Sequence, residues 1–195
     1  MFKKILFFLG FFSLVASLVV LSSRFGYTQP QPSNLSPYAT QLDSPIRGLT
    51  TLEVNDLLNG RGAGYARMAE LNGYPGPRHI LDLNRELKLS SNQILQIETV
   101  FKQMQTDAKG VGQQIVNHEK QLSTAFASDK INETEMQTNI EELGKLYSQF
   151  RAIHLMAHLQ IKPLLKPEQI DDYNKLRGYS SISEQSKPIH QQRHH

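Results

Sequence analysis

The sequence predicts an all-α protein built on a long antiparallel helical hairpin. Three observations carry that prediction. Apolar residues recur at alternating intervals of three and four along two long stretches. Capping signals open both stretches. No stretch of useful length alternates apolar and polar residues in the way a half-buried strand does.

The first long helix opens at Leu89-Ser90-Ser91-Asn92-Gln93. Ser90 can accept from the amide of Gln93, whose side chain can reach back to the Ser90 backbone. Its seam runs through Ile94, Ile97, Phe101, Met104, Ala108, Val111, Ile115 and Leu122, with His118 in the gap. The pattern stops at Ser128-Asp129-Lys130, and Asn132 with Glu135 restarts it. A second seam follows through Met136, Ile140, Leu143, Tyr147, Phe150, His154, Ala157 and Ile161. Two long helices joined by a short turn must lie antiparallel, seam against seam. Pro163 ends the second helix, Pro167 starts a final short one through Leu176, and Gly178 stops it.

Upstream, Thr50 with Glu53 starts a short helix that ends by Gly60-Arg61-Gly62-Ala63-Gly64. Another short helix covers Tyr65 to Leu71, and Asn72-Gly73-Tyr74-Pro75-Gly76-Pro77 is a compact turn. No Gly-Lys-Ser/Thr follows these glycines and no strand precedes them, so backbone geometry explains them better than a phosphate loop does.

Residues 1–24 form a targeting segment. Lys3 and Lys4 precede an apolar run from Ile5 to Leu21, broken only by Gly10, Ser13 and Ser17. This is how a signal peptide or a signal anchor begins. The run is slightly short of the ~20 residues that span a bilayer. Anchoring leaves the N-terminus in the cytoplasm and the rest translocated, which in a bacterial cell with two membranes means the inner membrane and the periplasm; cleavage at Ser22-Ser23 gives a secreted form. Residues 25–49, with Pro30, Pro32, Pro37 and Pro45, read as a linker. Residues 50–179 are the helical payload, and 180–195 a polar tail ending in His194-His195.

The charge follows the same division. Lys3, Lys4 and Arg24 account for the whole net charge of +3, leaving 18 basic residues against 18 acidic ones in the remainder. A nucleic-acid partner, which needs a concentrated basic face, is not expected. Cysteine is absent, which excludes disulfides, thiolate metal sites and a thiol nucleophile. With no His-Glu-x-x-His or Gly-x-Ser-x-Gly in the chain, an enzyme is not expected either.

The candidate metal ligands are histidines. His154 and His158 stand four apart on one helix face, suitable spacing for a shared divalent ion such as zinc, nickel, cobalt or copper. Antiparallel pairing sets His158 opposite Phe101 and Lys102, with Glu98 a turn away as an oxygen ligand. His79 joins them if the first helices fold back across the hairpin. The alternative is that His154 is a hydrogen-bonded seam residue and His158 a flanking polar one. His118 falls opposite Glu141, roughly 20 Å from His154 at ~1.5 Å per residue, too far to share an ion.

Leu89-Ser90-Ser91-Asn92-Gln93 and Leu165-Lys166-Pro167-Glu168-Gln169 resemble the paired L-T-x-x-Q motifs of the Spy/CpxP family. That family comprises bacterial periplasmic stress chaperones, zinc-resistance-associated proteins and periplasmic heavy-metal sensors. The resemblance covers roughly Leu71 to Tyr179, with Leu89, Ser90, Gln93, Leu165 and Gln169 as structural caps. Ser90 stands where Thr is usual, and Lys166 cannot cap as Thr does. The resemblance implies a thin, curved four-helix homodimer without ATP or any required cofactor. Its partners are unfolded or envelope proteins, or a membrane signalling protein. The alternative it offers is a membrane-anchored metal sensor or metal buffer. Its nickel- and cobalt-sensing members use His-x-x-x-Met, where this chain has His154 and His158.

Overall fold

A computed structural model describes residues 36–179. The chain divides into two compact units, Met1–Thr40 and Gln41–His195. Of the first, only residues 36–40 are described, a turn in which the Tyr38 N–H donates to Ser36 Oγ at 3.2 Å. The apolar run from Ile5 to Leu21 and the tail from Ser180 lie outside the described residues. Among the described residues no helix is long and apolar enough to cross a membrane.

The second unit is all-α. Helices α1 (Thr51–Leu58), α2 (Arg67–Leu71) and α3 (Pro77–Asp82) precede the long pair α4 (Ser91–Ala127) and α5 (Glu133–Ile161). A 3-10 turn (Lys162–Leu164) leads into α6 (Pro167–Leu176), and no strand occurs among the described residues. The capping boxes of Thr50 with Glu53 and Ser90 with Gln93 are both formed, and Asn132 caps α5 through the Glu135 amide. Pro77 starts a helix that the sequence read as part of a turn. A proline at the first helical position has its φ already set and lacks only an N–H that would have had no partner.

α4 and α5 pack antiparallel, with Glu119 reached by Tyr147 and Gln93 donating to the Leu164 carbonyl. Their seam divides into two cores. One gathers Ile46, Leu49 and Leu57 with Ala108, Val111, Ile115 and Val116 of α4 and Leu143, Leu146 and Phe150 of α5. The other joins Ile80, Leu87, Ile97, Ile161, Leu165 and Tyr173. Ile46 and Leu49, which fall in the segment read as linker, are buried in the first core, where apolar side chains gain by leaving water.

α4 is buried on more than the predicted seam. Gly112 and Val116 are also covered, because α1 crosses the helix there. The approach is close enough that a Cβ on Gly112 would overlap the Leu57 carbonyl. Conversely, Ile140 of the predicted second seam is half exposed.

The two motif glutamines meet. Gln93 Nε2 donates to Gln169 Oε1 at 2.8 Å, and Gln169 Nε2 donates to Gln93 Oε1 at 3.3 Å. Gln169 Oε1 also accepts from the Lys166 amide at 2.9 Å, so its side chain closes the first turn of α6. Each glutamine thus caps its own helix and ties it to the other, satisfying amides that burial would otherwise leave unpaired.

Candidate functional site: a cavity between the two cores

Between the two cores the seam opens. Phe101, Met104 and Gln105 of α4 and His154 and His158 of α5 fall in that gap and line a cavity of about 640 Å³. The segment from Gly60 to Gly64, parts of α2 and α3, and the chain just after α6 close its other sides.

The histidines are wall posts. His154, 4% exposed, has Nδ1 2.9 Å from the Phe150 carbonyl and Nε2 3.3 Å from the Gly60 carbonyl. A neutral imidazole has one N–H, which it gives to one of these oxygens. The other nitrogen then faces a carbonyl and not an open position. His158, 8% exposed, sets Nδ1 2.6 Å from the Tyr74 carbonyl. Glycines let the loops come this close: a Cβ on Gly62 would lie 3.1 Å from His154 Cδ2, and one on Gly76 2.9 Å from His158 Cε1.

His79 lines the same cavity, as folding back of the first helices predicts. Glu98 does not. It follows the fully buried Ile97 by one residue, about 100° around the helix, and pairs with Lys102 at 3.3 Å on the outer surface. Among the described residues no group of three or more His, Cys, Asp or Glu side chains is placed to hold a metal ion. His118 stands apart from the cavity, half-buried, with Nδ1 lacking a hydrogen-bond partner among the described residues.

Two carboxylates do reach the cavity: Asp82, which pairs with Arg78, and Glu70, whose side chain is 12% exposed. Glu70 Oε1 accepts from the hydroxyl of Tyr173 and from that of Tyr179 at 3.3 Å, and lies 3.6 Å from Arg177 Nε. Its Oε2 accepts from the Gly76 amide at 3.2 Å and lies 3.8 Å from His158 Nδ1. One side chain of a five-residue helix therefore holds α2 to α3, α5 and the end of α6. Burial, and then the bond to Glu70, raises the Tyr173 pKa, so this phenol stays protonated and donating at any ordinary pH. The only sequence signal for Glu70 is an acid inside the short apolar stretch Met68-Ala69-Glu70-Leu71, between two glycine-rich turns.

His79 makes the site pH-sensitive. Burial, and then the positive Arg177, lowers its pKa from the ordinary 6.5, while Glu70 and Asp82 oppose the shift. The unfolded chain then takes up the proton first, so the contribution of His79 is complete above about pH 6.5 and declines as pH falls below it. We expect the urea midpoint to drop on acidification through this window, and His79→Gln to flatten part of the drop. An unchanged pH slope in the variant would contradict the assignment.

No family model matches the chain, and neither a curated protein nor a solved structure does.

Proposed function

We propose that this chain is a non-enzymatic, periplasm-facing protein of Spy/CpxP type that holds unfolded or signalling proteins without ATP. The observation that carries the reading is a set of exposed apolar pairs at helical spacing. Met68 and Leu71 on α2 are 56% and 58% exposed, and Met156 and Leu159 on α5 are both 52% exposed. Residues three apart share a helix face, and flexible methionines adapt to partners of varied shape. Arg151 sets a guanidinium nitrogen 3.3 Å from Met68 Sδ, giving one pair a cationic margin. The amide exchange between Gln93 and Gln169 supports the resemblance, because both motifs that carry it close on one another.

The metal-sensing alternative has less behind it. Three histidines line one cavity, but both nitrogens of His154 face backbone carbonyls. A zinc or nickel titration giving a stoichiometric micromolar site that His154→Ala/His158→Ala removes would favour it instead.

The test of the holding reading is light scattering. A client diluted from denaturant should aggregate less with the full-length chain at an equimolar ratio and no nucleotide present.

A further inference from the structure

The cavity carries a cation that its own residues leave unpaired. Its walls hold four guanidinium groups, Arg61, Arg67, Arg78 and Arg177, and two carboxylates, Glu70 and Asp82. Arg61 pairs with Asp56 at 3.1 Å, Arg78 with Asp82 at 3.1 Å, and Arg177 approaches Glu70 at 3.6 Å. The Arg67 backbone N–H donates to the Gly64 carbonyl at 3.1 Å, but its guanidinium makes no ion pair or hydrogen bond among the described residues. Its guanidinium is folded back onto the cavity wall, with Nη2 3.0 Å from where a Gly64 Cβ would stand.

The rest of the lining is suited to something apolar. Leu71, Phe101 and Met104 contribute hydrocarbon, aromatic and thioether surface to the same space. The volume of about 640 Å³ falls within the range of small-molecule sites. One free guanidinium balances one negative charge, and its planar fork matches a carboxylate in two parallel hydrogen bonds.

We infer that the cavity binds a small amphipathic carboxylate, its head on Arg67 and its apolar body against Phe101, Met104 and Leu71. This goes beyond the holding of unfolded proteins: the two surfaces share Leu71, but Met68, Met156 and Leu159 are absent from the cavity lining, and neither Arg67 nor Phe101 belongs to the exposed pairs.

The probes are sodium octanoate, octan-1-ol and octylamine, titrated calorimetrically into the full-length chain at pH 7.5. Octanoate should bind saturably at one site per chain, and the alcohol and the amine about tenfold or more weaker. Arg67→Ala should weaken octanoate by about tenfold, with Arg67→Lys recovering part of the loss. Arg67 is exposed and its side chain makes no ion pair or hydrogen bond among the described residues, so neither variant should change the melting midpoint of the unliganded chain. A second readout is His79, which Arg177, Glu70, Asp82 and His158 face. A bound anion should raise its NMR titration midpoint, and octan-1-ol should leave it in place. Equal affinity for octanoate and octan-1-ol, an unchanged Kd in Arg67→Ala, or no saturable binding would each overturn the inference.

Discussion

Gly112→Ala should lower the stability of the chain by about 2 kcal/mol or more, although alanine is the better helix former. The Cβ would enter the space of the Leu57 carbonyl, where α1 lies across α4. Backbone on one side and a helix interior on the other leave nothing soft to move, so α1 must shift off the core that Leu57 fills. Two other helical glycines provide the control. A Cβ on Gly110 or on Gly144 meets nothing within 4 Å. At those positions only propensity acts, and alanine should stabilise by up to about 1 kcal/mol. The sign thus separates the sites: thermal or urea melts of the three variants should show one loss and two gains. A gain at Gly112 would mean that α1 does not cross α4 where the structure puts it.

Glu70→Ala should cost about 3 kcal/mol, which for a unit of this size lowers the melting temperature by about 6–12 °C. The loss comes from the donors left behind. Tyr173 is fully buried and its hydroxyl loses its acceptor, as does the Gly76 amide, while Arg177 loses its nearest carboxylate. Glu70→Gln keeps an acceptor without the charge and should fall between the two. Tyr173→Phe in the Glu70→Ala background should cost less than it does alone, because the bond it removes is already gone. Additive effects, or a Glu70→Ala variant within 0.5 kcal/mol of the parent on the scale of ordinary surface changes, would remove Glu70 from the role assigned to it.

What the sequence shows and what it hides follow from how far each signal reaches. Helix starts are local: a Ser90 or Thr50 hydroxyl and a side chain three residues on complete the cap by themselves. The hairpin is also legible, since two long seams and a short turn permit one arrangement. The second buried face of α4 is not, because Gly112 and Val116 acquire meaning only when α1 is laid across them. The site divides the same way. His154 and His158 are visible as a pair at one-turn spacing, and His79 as a third histidine able to reach them. Their acid partner is not visible. Glu98 is near in register but turns outward, while Glu70 comes from a five-residue helix whose direction no periodicity could fix. The histidines' own partners, the carbonyls of Gly60 and Tyr74, belong to turns and leave no mark on composition.

The holding of unfolded partners is tested most directly by comparing the full-length chain with Met156→Ser/Leu159→Ser in the nucleotide-free aggregation assay. Both side chains are half exposed, so the variant should melt near the parent. The parent at equimolar ratio should suppress light scattering, and the variant should lose much of that protection. Unchanged scattering with the parent, or full protection from the variant, would contradict the account.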